Sequence, residues 1–376
     1  MAKLGDQFAR NPVGTGPYIP KYIDLGSKIV TVKNPNYRDE KYPTDASVDL
    51  KDPGLLNDAG RKLPLNDGVV FEIIAETQPR WLKFMNGEYE MMGVPKDNFQ
   101  TALPNGILSP ELKVKGIELF RSLKADVTVQ IFNMKDSVWG KNKDLRHALA
   151  LAIDVNRFIQ IQYSGQATRA HSIVDPSQWG YEKEFQSKWA KHDVAKAKEL
   201  LAKAGYPGGK GLPVLKGPTG ADSVSRQFDE LFSKQMAEVG IKYEGEPMTW
   251  PELDRRARAG NYSILGIGYA SGVPDVEDSL SIVQTKAIPT GANIAFYSNK
   301  EVDALANAIE SMPNGPERMK KIRRFKEILD DDLPMIPMVH RIGNQLIHKW
   351  VKNHVYIDSM YLGNFIKYHR IETAKQ

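Results

Sequence analysis

Tyr262–Leu280, YSILGIGYASGVPDVEDSL, begins as a strand and ends as an acidic loop. Ile264, Leu265 and Ile267 form an apolar run of the buried-sheet type. The run breaks into Gly268, Tyr269, Ala270, Ser271 and Gly272, then into Pro274, Asp275, Glu277 and Asp278. Open α/β sheets place ligands where a buried strand opens into a loop of small residues with one aromatic. This loop is therefore expected to form half of a pocket, and the chain to be a binding module with no catalytic residues.

Working outward, helices alternate with strands on both sides of this stretch. Asp144 is expected to cap one helix running to about Gln162, and Ser223–Val239 has apolar residues at helical spacing ended by Gly240. Thr249-Trp250-Pro251-Glu252 reads as a capping box leading the helix before the key strand. Leu333–Val339 reads as a buried strand whose prolines suggest a sheet edge or a strand start. Earlier, Tyr18–Ile23 and Lys28–Lys33 flank a turn as a hairpin, and Val69–Ala75 is a further strand. Residues 38–68 turn polar and rich in Asp, Lys, Pro and Gly, the pattern of a surface insertion.

With 376 residues the chain is expected to form two or three lobes, and its 41% hydrophobic and 26% charged content is that of a globular protein. No window has the run of about 18 apolar residues that a membrane span needs. The absence of cysteine excludes disulfides, thiolate metal sites and cysteine nucleophiles. The net charge of +5 is dispersed. Its densest run, Lys320–Lys326, lies opposite the apolar stripe Met319, Ile322, Phe325 and Leu329, so it reads as a solvated helix face and not a nucleic-acid contact.

Several motifs dissolve on inspection. Gly205-x-x-x-Gly209-Lys210 is one residue short of a phosphate loop and lacks the Ser or Thr that follows the lysine. Gly266-x-Gly268-x-x-x-Gly272 follows a strand, but the acids after Pro274 would repel a pyrophosphate. The seven histidines lack helical zinc spacing, and Asp330-Asp331-Asp332 reads as a solvated turn. No metal site or cofactor is expected. Tyr269 either stacks on a ligand or packs, and Asn293, on a loop expected to return beside it, has the same two readings.

The order of segments resembles the extracellular solute-binding proteins of family 5, which serve peptide- and nickel-type ABC transporters. Asn11–Tyr18 with Asn34–Tyr37 is similar to its signature hairpin, and Phe84–Glu90 to a helix end. Asp144-Leu145-Arg146-His147-Ala148-Leu149-Ala150-Leu151-Ala152-Ile153-Asp154 is the most specific match, joined by Ala197–Pro207 and Tyr297–Asp303.

The resemblance implies a type II periplasmic-binding fold, α/β with mixed sheets, in two lobes joined by hinge crossovers. Lobe I would hold residues 1–126 with the insertion 38–68, lobe II residues 127–344, and 345–376 would return to lobe I. Phe132 and Asn133 would lie at a hinge. Family members carry a long stretch before the hairpin, so lobe I and the export signal are expected to be incomplete in this sequence. The implied function is capture of a peptide or peptide-like solute outside the cytoplasmic membrane, by lobe closure, and delivery to an ABC permease, as a monomer when full length. Tyr269, Ala270, Ser271, Gly272, Asp275 and Asn293 are the candidate ligand contacts.

One departure bears on the ligand. Gly272 stands where peptide-binding relatives have the Asp that pairs the α-ammonium. Either the ligand has no ammonium there, or Asp275 or Glu277 supplies the charge. A non-peptide solute, a metal chelate and, more remotely, a hydrolase built on Asp275 and Glu277 are the alternatives.

Overall fold

The computed structural model describes residues 11–45, 53–355 and 365–372. Two compact units emerge, with the chain passing between them at Arg121/Ser122 and at Gly343/Asn344. The sequence reading puts these crossings at 126/127 and 344/345.

The first unit opens with the expected hairpin. Strands β1 (Tyr18–Asp24) and β2 (Lys28–Lys33) pair antiparallel, and the Asp24 carboxylate closes the turn by accepting from the Gly26 amide at 3.0 Å. β3 (Val70–Glu72) is shorter than the expected strand over 69–75 because β2 gives it no partner beyond Lys28. α1 (Thr77–Met85), β4 (Met91–Gly93), α2 (Phe99–Ala102), α3 (Pro110–Val114) and β5 (Ile117–Leu123) follow. Trp81, Phe84, Phe99, Leu103, Leu112 and Ile117 form their core. The described part of 38–68 is anchored and not a loose insertion: Tyr37, Tyr42 and Leu63 bury together against Tyr368. Asp58, 3% exposed, accepts from Arg370 and Asn353, each at 2.8 Å. Those partners lie some three hundred residues away, where composition gives no hint of them.

The second unit, Ser122–Gly343, is larger. Its elements are β6 (Asp126–Phe132), α4 (Lys143–Ala152), α5 (Val155–Tyr163), β7 (Ala167–Arg169), α6 (Val194–Lys203), β8 (Leu215–Gly220), α7 (Ser223–Val239), β9 (Tyr243–Met248), α8 (Trp250–Ala259), β10 (Ile264–Ala270), α9 (Glu277–Ser281), α10 (Lys300–Glu310) and α11 (Pro316–Asp332). β11 (Met335–His348) carries the chain back to the first unit, which ends on the pair β12 (Val351–Lys352) and β13 (Arg370–Ile371).

The centre is an antiparallel sheet in the order β10-β6-β11, with β7 added beside β11. β6, the strand in the middle, is covered on both faces and is buried at every position but Thr128. One face packs Phe132, Ile264, Ile336 and Val339 against Leu145 and Leu149 of α4, Phe158 of α5 and Phe232 of α7. The other packs Val127, Val129, Ile131 and Leu265 against Leu253 of α8, Val302 and Ile309 of α10, and Ile322 and Phe325 of α11. β8 and β9 form a parallel pair beside α7.

Four expectations need correcting here. The single helix over 144–162 is two: Asn142 caps α4, Ile153 turns extended, and the Asp154 side chain caps α5 by accepting from the Arg157 amide at 3.0 Å. The Thr249 capping box does not close, because the Glu252 carboxylate bonds Arg255 at 2.6 and 2.8 Å instead. Pro334 stands immediately before the first residue of β11, the strand start expected, but Pro337 lies inside the strand at a register shift, where a missing N–H is tolerated, and not at an edge. Asp330 and Asp332 are tethers and not a solvated turn: Asp330 accepts from the Ser187 hydroxyl and the Lys188 amide, and Asp332 from Tyr297 at 2.5 Å and Asn299 at 3.0 Å.

Two motif residues of the α4 region have structural work. Arg146, 3% exposed, donates to the carbonyls of Trp139, Gly140, Asp332 and Leu333, tying α4 to the end of α11. Phe132 and Asn133 are buried well inside the second unit, away from either crossing. The Asn133 amide donates to Gly260 O at 2.7 Å and Tyr262 O at 2.9 Å, so it fixes β6 to the turn before β10.

Candidate functional site

The register of β10 sets what it presents. The Asn133 amide donates to Ser263 O and the Ser271 amide to Ala125 O, at the two ends of the β10–β6 ladder. Hydrogen-bonded pairs alternate along an antiparallel ladder, so Leu265, Ile267 and Tyr269 direct their amides toward β6. Gly266, Gly268 and Ala270 direct theirs to the outer edge. Beyond Ser263, which donates to Lys216 O, no strand pairs with that edge among the described residues. Gly266, Gly268 and Ala270 are also the exposed positions of β10, on the sheet face opposite Tyr269.

The β6 residues paired with them share that face: Gln130 with Gly266, Thr128 with Gly268, and Asp126 with Ala270. A Cβ on Gly266 would fall 2.8 Å from Gln130 Nε2, so the Gln130 amide lies across the bare glycine backbone. The Asp126 carboxylate accepts from Arg341 Nε at 2.8 Å and Nη2 at 2.6 Å. Thr128 and Tyr163 hydrogen-bond each other, and burial raises the Tyr163 hydroxyl above its ordinary range. The strip is thus small on one side and polar on the other, with its one ion pair internally neutralised.

The loop beyond β10 is saturated from within. Ser271, 7% exposed, donates to the Asp175 carboxylate and accepts from Gln178 Nε2 at 3.0 Å. Gln178 in turn accepts from Ser279 at 2.7 Å. The Asp278 carboxylate accepts from the amides of Gly272 and Val273. Arg318, whose side chain is 2% exposed, grips Asp275 with two 2.7 Å bonds, reaches Glu277 at 3.6 Å and lies over the Trp179 ring. Burial pushes the Asp275 carboxyl up, but the Arg318 guanidinium and the Glu277 amide outweigh it and hold the group below the usual carboxylate range.

The candidate contacts therefore separate. Asn293 is fully buried, and its amide donates to Gln284 O at 3.0 Å and Tyr297 O at 2.9 Å, so it clamps its own loop. Tyr269 is half-buried in the core under β10 and its hydroxyl donates to Ala292 O at 3.0 Å, with burial raising it well above the ordinary phenol. Asn293 and Tyr269 thus belong to one neighbourhood, as expected, but on the packed side. Ala270 stays exposed, Gly272 is half-buried, and Ser271 and Asp275 are spent on the loop itself. Gln130, Thr128 and Arg341 were not among the expected residues. The available signal was the alternation Gly266-x-Gly268 within an apolar strand, which marks a close backbone approach when it is not a phosphate loop.

The sequence model of bacterial extracellular solute-binding proteins, family 5 Middle, matches residues 2–289. Heme-binding protein A of Haemophilus influenzae is 25% identical over 94% of this chain and 60% of its own length. A glutathione-binding protein of Escherichia coli is 27% identical over 90% of this chain and 61% of its own. Di/tripeptide-binding protein 3 of Pseudomonas aeruginosa is 23% identical over 92% and 59%. The chain thus spans about three fifths of these relatives. In fold it is similar to the oligopeptide-binding protein AppA of Bacillus subtilis, solved with a nonapeptide, at a TM-score of 0.81 and 19% identity over 99% of this chain and 70% of that one. DppA of Helicobacter pylori, solved with the peptide STSA, gives 0.79 and 22% over 99% and 68%. Among the described residues no helix is long and apolar enough to cross a membrane. With its matched fold and more than half its length covered by the family model, the chain belongs to the bacterial extracellular solute-binding proteins of family 5.

Proposed function

We propose that this chain forms the ligand-holding part of an extracytoplasmic solute-binding protein, which captures a peptide-like solute and passes it unchanged to an ABC permease. The observation that carries this reading is the outer edge of β10. Gly266, Gly268 and Ala270 offer amides and carbonyls that no neighbouring strand among the described residues uses, with nothing larger than a methyl group to obstruct an extended ligand. An extended peptide binds such an edge through its main chain, which gives affinity without reading every side chain. The relatives named for heme, glutathione and di- or tripeptides agree with a solute-binding role.

The loop also supports a choice between the two explanations for Gly272. Asp275 is held by Arg318, Glu277 lies near the same guanidinium, and Asp278 accepts two backbone amides. Asp275 and Asp278 are thus committed within the loop, and Arg318 offsets part of the charge of the half-exposed Glu277, which favours a solute that is uncharged over the strand end. The grip of Arg318 on Asp275 speaks against Asp275 and Glu277 as a hydrolytic pair, because such a pair needs both carboxylates free to reach their protons.

Titration calorimetry with Ala-Ala-Ala tests the reading. A micromolar Kd, about −8 kcal/mol, is expected, with the peptide recovered intact after incubation. Absence of binding by any short peptide contradicts it, and so does cleavage of the peptide.

A further inference from the structure

Among the three polar side chains that β6 presents beside the open strip of β10, one stands apart. Gln130 is 5% exposed, yet its carboxamide has no hydrogen-bond partner among the described residues. Its two neighbours on the same strand face do have partners: Thr128 is bonded to Tyr163 and donates to Val339 O, and Asp126 is paired with Arg341. The residue is buried as a whole while its amide end reaches solvent at the strip, where a ligand group can take the place of water. Gln130 Nε2 is directed across Gly266, into the small-residue strip that β10 leaves exposed.

We propose that the Gln130 carboxamide is a specificity-determining ligand contact, pairing with a neutral amide of the bound solute over Gly266. The inference rests on the peptide-like reading above and deepens it by naming the group recognised. A carboxamide carries both donors and an acceptor, the same complement as a peptide unit. It has no charge with which to neutralise an ion, and the nearby Asp126–Arg341 pair is already balanced. A charged ligand group placed here would lose its hydration without gaining a counter-ion, so the strip discriminates against it. Gly266 is part of the device: a methyl group there would meet Nε2 at 2.8 Å and push the amide out of position. Gly268 is more forgiving, since its added Cβ would stand 3.8 Å from Arg341 Nη2 and Thr128 Cγ2.

The test is calorimetry with Ala-Ala-Ala and Ala-Lys-Ala on the wild-type chain and the variants Gln130→Leu and Gln130→Glu, each followed by urea unfolding. Gln130→Leu is expected to weaken Ala-Ala-Ala binding about tenfold, the value of one buried hydrogen bond, while leaving the urea midpoint unchanged or raised. Gln130→Glu is expected to shift preference toward Ala-Lys-Ala. If the wild type binds Ala-Ala-Ala and Gln130→Leu binds it equally well, the subsite is overturned and the peptide reading survives. A fall in the urea midpoint of Gln130→Leu with ligand preference unchanged assigns the residue to structure and also overturns the subsite. If the wild type binds neither peptide, the functional reading fails and the subsite with it.

Discussion

Asp275 and Gln130 lie at opposite ends of the β10 neighbourhood and illustrate two uses of a polar side chain. Asp275 is gripped by Arg318 through two 2.7 Å bonds, in a loop where Ser271, Asp278 and Ser279 are likewise satisfied. Gln130 is the less exposed residue of the two, yet its carboxamide has no partner among the described residues. The difference teaches where a ligand is to be sought. The acidic loop, chemically the richer of the two, consumes its own bonding capacity and serves as a rigid frame. The strand, chemically plain, keeps bonding capacity in reserve.

The contrast is broken most forcefully at the frame. Arg318→Met strands the carboxylates that Arg318 serves, and breaking such a pair costs about 3 kcal/mol. Urea unfolding checks this, and a loss below about 1 kcal/mol would mean that the loop does not depend on the pair. The pH dependence has a definite sign. Because the folded-state Asp275 carboxyl lies below its ordinary value, its contribution is complete above about pH 4 and is lost as pH falls through the folded value. Acid unfolding should therefore be steeper below pH 4 in the wild type than in Arg318→Met, and parallel curves would contradict the assignment.

Asn293→Ala comes next, since it leaves the Gln284 and Tyr297 carbonyls without their donor in a fully buried loop. A loss of about 2 kcal/mol in unfolding free energy is expected. Tyr269→Phe removes the bond to Ala292 O alone and should cost about 1 kcal/mol, with peptide affinity unchanged by calorimetry. A large affinity loss in Tyr269→Phe would move the ligand to the packed side of β10. The smallest stability effect belongs to Gln130→Leu, within about 0.5 kcal/mol by urea unfolding, because no existing bond is lost.

How far the sequence carries this picture depends on how local each cause is. The strand over Ile264–Ile267 and its break at the following glycines are legible because the apolar run and the small residues are adjacent. The hairpin around Asp24 and the helix ended by Gly240 are legible for the same reason. The split between α4 and α5 turns on one side chain, Asp154, reaching one amide, and apolar spacing continues across it. The saturation of the Ser271–Ser281 loop was hidden because its partners, Asp175, Gln178 and Arg318, are remote in sequence. The match over Asp144–Asp154 identified the family through residues that build the fold, as Arg146 does with its four carbonyls. Gln130 gave no signal, since an unpartnered side chain is visible only once every neighbour is placed.

Residue-resolved hydrogen exchange, with and without saturating Ala-Ala-Ala, tests the assignment of the ligand to β10 most directly. The account predicts that the amides of Gly266, Gly268 and Ala270 become protected while those of residues 284–297 do not change. Protection that spares all three β10 amides at full occupancy would contradict it.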